Sequence, residues 1–393
     1  MPALRIAKPR FLAEPALAAV LAVLPDARLI GGVVRDTLLA RPVADIDLAT
    51  PSPPEAVTAA LERAGLRALP TGLAHGTVTA LVHGRSFEIT TLRSDVETDG
   101  RHATVAFTTS WQADASRRDF TLNALSLARE GWVHDYFGGI ADLIAGRIRF
   151  VGPPALRLAE DRLRALRFFR FFAIYARTLP DEGTLAALAS AAQDLGRLSA
   201  ERVWSELKRL LAAPDPRPAL ALMRKLGVLG AILPEVRDLA PLNRLAALGA
   251  PPDPLLRLAA LISRDPAPLA GRLRLSSAEA EHLARLGSGP VPTPDADPAT
   301  LRRLLADEPA DLLIARSLLA GIGGEAGGRL RARLATRPRP IFPLAGRDAL
   351  ALGMRPGPAV GAALAAVRGW WLAGGCIADA EACRAELLTR LSA

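Results

Sequence analysis

A change of apolar rhythm at Gly152-Pro153-Pro154 limits the fold more than any other feature of the chain. Before it, short β-branched runs alternate with brief helical stretches. After it, apolar residues recur at three-to-four-residue spacing, the signature of helices with one buried face. Residues 27–30 and 45–49 read as short strands; 76–82 and 86–92 read as longer ones, with His83-Gly84-Arg85 as their turn. Residues 54–65 read as a helix with proline at its start and glycine at its stop. Downstream, residues 156–176, 182–195, 200–213 and 217–227 read as helices, and proline-rich breaks at 250–254 and 287–298 punctuate a helical remainder. At 393 residues the chain exceeds one compact core. The expected class is α+β: a head with a small mixed sheet over 1–150, then an all-helical neck (151–215), body (216–273) and tail (274–393).

Composition excludes several classes. No run approaches the ~18 uncharged apolar residues of a membrane span, because Glu14 and Pro15 interrupt the longest stretch. Arg5, Lys8 and Arg10 are not followed by an apolar core and cleavage site, so a soluble cytoplasmic protein is expected. Cys376 and Cys383 form no disulfide framework and no zinc spacing; they read as buried small apolar residues. Of the five histidines only His134 precedes an aspartate, Asp135, and a second, phosphohydrolase activity is not expected. The net charge of +9 favours a polyanionic partner through counterion release.

The chemistry concentrates in residues 29–50. A strand enters Gly31-Gly32 and a helix leaves from Val33, so backbone amides and a helix start can meet a phosphate, with Arg35 one turn on. Asp45 and Asp47 are two apart on an expected strand and so share a face. Carboxylates side by side repel unless a cation lies between them. Oxygen-only ligands favour Mg²⁺, which also takes substrate phosphates as ligands; paired metals about 3.5–4 Å apart would polarise an attacking hydroxyl and stabilise leaving pyrophosphate. Glu88 is a candidate third metal carboxylate, or else a strand glutamate paired with a residue such as Arg93. An Asp-x-Asp pair or a Gly-Gly is commonplace; their conjunction within about twenty residues points to nucleotidyl transfer.

Gly31-Gly-Val-Val-Arg-Asp-Thr-Leu-Leu39 with Asp45-Ile-Asp47 resembles the class II tRNA nucleotidyltransferase and bacterial poly(A) polymerase family. Arg117-Arg-Asp-Phe-Thr-Leu-Asn-Ala124, Asp142 to Arg149, Glu160-Asp-Arg-Leu-Arg-Ala-Leu-Arg-Phe168 and Glu201 to Lys208 extend the resemblance in order, over residues 28 to 235. It departs at Arg162, where the motif more often has proline, and at Ala40-Arg41, where a glycine is usual. The resemblance implies a polymerase-β-like head, Mg²⁺, ATP and CTP as substrates, and the 3′ acceptor end of tRNA as partner.

It also implies that Asp161 and Arg164 read the incoming base. They lie three apart on an expected helix and so share a face. Adenine and cytosine both present an amino donor beside a ring-nitrogen acceptor; aspartate can accept from the first and arginine donate to the second. Guanine and uracil fail both contacts. Arg118, Arg167 and Arg170 are candidate contacts to the triphosphate or the RNA, whereas Phe168, Phe169, Phe171 and Phe172 read as core. Residues 94–118, with Gly100-Arg101-His102, read as a mobile polar loop between site elements.

The favoured reading is CCA addition to tRNA. A poly(A) polymerase, or an enzyme adding only A or only C, would share every site residue. Gly72-Leu-Ala-His-Gly-Thr77 followed by Phe87 to Arg93 looks closer to the tRNA enzymes. A non-catalytic RNA-binding protein would have no use for the carboxylates. A metal-dependent glycosyltransferase would not need the base-reading pair.

Overall fold

Alternating β-branched and buried apolar residues build the sheet that carries the site. Its strands are β1 (Ala3–Arg5), β2 (Arg28–Ile30), β3 (Asp47–Thr50), β4 (Arg67–Gly72), β5 (Thr77–Val82), β6 (Arg85–Thr91), β9 (Ser126–Ala128) and β10 (Trp132–His134), while β7 (Arg93–Thr98) and β8 (Ala103–Phe107) form a separate ribbon. This computed structural model describes residues 3–392 apart from 44, 73–75, 99–102 and 263–264. The strand order is β1-β10-β9-β2-β3-β6-β5-β4. Strands β3 and β6 run parallel and bring Asp47 opposite Glu88; the neighbouring pairs are antiparallel. Helices α1 (Pro15–Val23), α2 (Gly32–Leu38) and α3 (Pro54–Arg63) accompany the sheet. Its core includes Leu17, Val20, Leu29, Val34, Leu48, Leu61, Val78, Phe87 and Leu127, all essentially inaccessible to solvent. Burial at that scale stabilises by about 25 cal/mol per Å² of apolar surface removed from water.

Several expected boundaries shift. Asp45 lies ahead of β3 rather than in it, so strand alternation does not set its direction. Val82 pairs with Arg85, leaving a two-residue turn at His83 (φ 49°) and Gly84 (φ 77°). Positive φ at both positions matches the twist of the flanking strands. The segment expected as a polar loop is instead the β7–β8 ribbon followed by α4 (Trp111–Ser116), which the Ser110 side chain caps at Ala113 N, 3.2 Å. Gly100-Arg101-His102 and Leu73-Ala74-His75 lie outside the described residues. A single 3₁₀ turn, Thr121–Asn123, follows Asp119.

Beyond the sheet come α5 (Gly139–Ala145), α6 (Pro154–Glu160), α7 (Leu163–Tyr175), α8 (Glu182–Ala191), α9 (Ala200–Leu211), α10 (Arg217–Lys225) and α11 (Val228–Ile232). The helix expected over 156–176 is therefore two helices, with Asp161 extended between them (φ −151°, ψ 109°). Local side-chain bonds explain the break. Asp161 Oδ1 accepts from Leu163 N at 3.0 Å, and Arg162 Nη1 closes the end of α6 by donating to the carbonyls of Leu158 and Ala159 at 2.8 and 3.0 Å. Phe168 stacks on Phe150 with centroids 5.7 Å apart, and Phe150 packs on Phe120 at 4.8 Å, fixing α7 to the polypeptide around Asp119. The four phenylalanines of α7 are buried, as expected.

The chain divides into two compact units, Met1–Pro234 and Glu235–Ala393. The second is helical from α12 (Ala240–Ala247) to α21 (Ala380–Ser392), with one apolar cluster around Leu301, Leu313 and Leu330 and another around Val367, Trp371 and Leu387. Cys376 and Cys383 are free and buried in the latter, as expected. Among the described residues no helix is long and apolar enough to cross a membrane.

Candidate active site

Strand pairing fixes the first part of the site. Asp47 and Glu88 stand side by side on parallel β3 and β6, so their side chains leave the same face of the sheet. They share the wall of a cleft of about 650 Å³; with Asp45 they also border a second opening of about 540 Å³ beside Gly84, Arg85 and Ser86. Partial desolvation raises the Asp47 carboxyl above its ordinary value, Glu88 and then Asp45 add to the rise, and Arg118 opposes it. Among the described residues no three His, Cys, Asp or Glu side chains come together so as to hold a metal ion by themselves. An oxygen-only, mutually repelling set on an open wall nevertheless fits Mg²⁺, which keeps positions for substrate phosphates and water.

The other wall is cationic. Gly31, at φ 70°, holds the turn from β2 into α2, and the Arg118 guanidinium lies 3.6 Å from where a β-carbon would stand; Arg35 lies 3.5 Å from the equivalent point on Gly32. Arg118 is held by Asp114 Oδ2 at 3.0 Å and reaches the Asn123 carbonyl at 3.4 Å. Arg35 is more deeply committed: it donates to both oxygens of Asp36 (3.0 and 2.8 Å) and to Asn123 Oδ1 (2.8 Å), and it packs over Tyr175.

Asp161 and Arg164 both line the cleft, but from either side of the break between α6 and α7 and not as neighbours on one helix. Arg164 N donates to the Asp161 carbonyl at 3.1 Å, but their side chains turn to other partners. Arg202 of α9 donates to Asp161 Oδ2 at 2.7 Å. Arg164 pairs with Glu160 and donates to the carbonyls of Arg157 and Arg117 at 3.1 and 3.2 Å. Each side chain is thus oriented by partners outside the pair.

Arg167 and Arg170 line the cleft and also join α7 to its surroundings. Arg167 Nε donates to Asp119 Oδ2 at 2.6 Å. Arg170 Nε lies 2.9 Å from Glu206 Oε2 without hydrogen-bond alignment, and its guanidinium covers the Phe171 ring at 4.4 Å. Burial, only partly offset by Glu206, lowers the Arg170 pKa to about 10, which still leaves it charged at neutral pH.

Nearly every expected site residue therefore meets in one cleft: Gly31, Gly32, Arg35, Asp47, Glu88, Arg118, Asp161, Arg164, Arg167 and Arg170, with Asp45 at the adjoining opening. Reading the sequence overlooked Asp114, Asn123, Arg202 and Glu206. Asn123 stands four residues after Asp119 within the Arg117-Arg-Asp motif, and Asp114 stands three and four residues before its partners Arg117 and Arg118, both visible signals; Arg202 and Glu206 act through partners distant in sequence.

Residues 27–149 match the family described as "Poly A polymerase head domain", and residues 180–239 match the family described as "Probable RNA and SrmB- binding site of polymerase A". The chain is 36% identical over 364 residues to the mitochondrial CCA tRNA nucleotidyltransferase 1 of Danio rerio, covering 88% of this chain and 83% of that protein. It is 40% identical over 214 residues to the CCA-adding enzyme of Streptococcus gordonii, a match spanning 54% of this chain and 52% of that enzyme. Its fold is similar to the crystal structure of the Bacillus stearothermophilus CCA-adding enzyme in complex with CTP: TM-score 0.76, 28% identity, 96% of this chain and 98% of that one.

Proposed function

The chain belongs to the family of CCA-adding tRNA nucleotidyltransferases with a poly(A)-polymerase-type head, and from that premise we propose that it completes the 3′ end of tRNA by adding C, C and A from CTP and ATP without a template. The observation that carries the reading is one cleft in which carboxylates, phosphate-binding arginines and the candidate base-reading pair converge. Asp45 and Asp47 would hold Mg²⁺, with Glu88 as a third carboxylate; when bound, the ion neutralises phosphate charge and acidifies the attacking hydroxyl.

Arg118 and Arg35 beside Gly31 and Gly32 orient the triphosphate, so the tRNA 3′-hydroxyl attacks the α-phosphate in line and pyrophosphate leaves. Asp161 accepts the amino proton of cytosine or adenine; each of its oxygens already has one donor, and a carboxylate oxygen accepts a second. Arg164 donates to the ring nitrogen. Arg167 and Arg170 keep α7 in place and add positive potential to the cleft.

The finer division into head (1–150), neck (151–215), body (216–273) and tail (274–393) belongs to this proposal, with the tail as a tRNA-binding surface that engages backbone phosphates. So does a cytoplasmic setting, which the buried free thiols of Cys376 and Cys383 suit.

The proposal is tested by offering ATP alone or CTP with ATP to two acceptors, a tRNA lacking CCA and an unrelated RNA. Three-nucleotide extension of the tRNA alone is expected. Long adenylate tails on both acceptors would instead make the chain a poly(A) polymerase.

A further inference from the structure

Asp114 takes no part in the mechanism above, yet it is 3% exposed and borders the cleft. Its Oδ1 accepts from Arg117 Nε at 3.0 Å and from the backbone N of Arg93 at 3.3 Å; its Oδ2 accepts from Arg118 Nη2 at 3.0 Å. The carboxylate thus gathers the start of β7, the end of α4 and the guanidinium that stands over Gly31. Ser110, capping α4, fixes the helix from which Asp114 projects.

We propose that Asp114 is a positioning residue for the triphosphate: it locks the Arg118 guanidinium against the Gly31 turn before the nucleotide arrives. The inference rests on the proposed function. A free arginine loses side-chain freedom when it grips a phosphate, and that loss opposes binding. A buried carboxylate that fixes one edge of the guanidinium removes most of that loss beforehand, and leaves the other N–H groups for the ligand. A merely structural ion pair would affect unfolding without acting on phosphate affinity through Arg118.

The test is a double-mutant cycle on the full chain with Asp114→Asn, Arg118→Ala and both together. It reads KM and kcat for CTP and ATP, and calorimetric binding of inorganic tripolyphosphate. Asp114→Asn is expected to raise both KM values about tenfold, the scale of one charged hydrogen bond, with a smaller change in kcat and an equal loss of tripolyphosphate affinity. In the Arg118→Ala background the same change should do little. An unchanged tripolyphosphate affinity in folded Asp114→Asn, or an undiminished penalty without Arg118, would overturn the proposal. Should Asp114→Asn fail to fold, Asp114→Glu, which keeps the charge but displaces the guanidinium by a methylene, is read in the same two backgrounds. Wild type that binds tripolyphosphate but transfers no nucleotide would refute the proposed function alone, because the binding arm still decides the role of Asp114.

Discussion

Arg35 and Asn123, 88 positions apart, are joined by a 2.8 Å hydrogen bond from Arg35 Nη1 to Asn123 Oδ1. Asn123 Nδ2 in turn donates to Asp119 Oδ1 at 3.0 Å, and Asp119 Oδ2 holds Arg167. On the other side Arg35 grips Asp36, whose Oδ1 accepts from Tyr175 at 3.0 Å. The bonds run from α7 through the Asp119 turn to α2 and back to α7, so the Gly31-Gly32 turn and the helix after the break at Asp161 are held as one frame.

Asn123→Ala opens that frame and leaves Arg35 and Asp119 each short of a partner. The expected cost is about 1–3 kcal/mol, seen as a lower Tm and a raised KM for both nucleotides. An unchanged Tm would show that the frame carries no energy.

Asp47 gives a prediction whose sign follows from its raised pKa. Between the unfolded and folded values the native state binds more protons, so the stability this group contributes is present at low pH and lost as pH rises through the folded value. Asp47→Asn is therefore expected to raise the Tm of the metal-free protein at neutral pH while abolishing transfer of both C and A. Mg²⁺ should raise the wild-type Tm and leave the variant's nearly unchanged. Equal Mg²⁺ shifts in the two proteins would remove Asp47 from the metal site.

Glu206 is 4% exposed and lies between Arg167 and Arg170. Glu206→Gln leaves the partly buried Arg170 without its paired carboxylate and Arg167 with Asp119 alone, at a cost of about 3–5 kcal/mol. Denaturant unfolding measures it; a cost under about 1 kcal/mol, as for an exposed ion pair, would contradict the reading.

Much of this arrangement was legible in the sequence because it is local. β5, β6 and α3 are announced by β-branched alternation and by proline and glycine punctuation, and Gly31, Gly32 and Asp47 by the strand-Gly-Gly-helix and Asp-x-Asp pattern of residues 29–50. The break at Asp161 was not legible, since apolar spacing runs from Leu158 to Leu166 as though one helix continued. It shows in the extended backbone of Asp161 and in the local bonds that Asp161 and Arg162 make. The β7–β8 ribbon was missed because its first strand, Arg93-Ser-Asp-Val-Glu-Thr98, is polar and charged and lacks the apolar alternation that marks other hairpins. Glu206 escaped because its arginines, Arg167 and Arg170, come from another helix, whereas the partners of Asp114 stand three and four residues on and were within reach of the sequence.

Base selection gives a further prediction. Arg164→Ala removes the donor to the ring nitrogen and leaves Asp161 with Arg202, so GTP and UTP should enter at the expense of CTP and ATP. A loss of discrimination of about 1–3 kcal/mol is expected, measured as the ratio of kcat/KM values. Unchanged ratios would assign base reading elsewhere.

The central claim is that this cleft chooses nucleotides without a template, and one measurement reaches it directly. A tRNA ending before its CCA is incubated with the protein, Mg²⁺ and all four nucleoside triphosphates together, and the new 3′ ends are sequenced. The account predicts C, C, A and then arrest, with no G or U. Mixed sequence, an unbounded run of one nucleotide or no extension would contradict it.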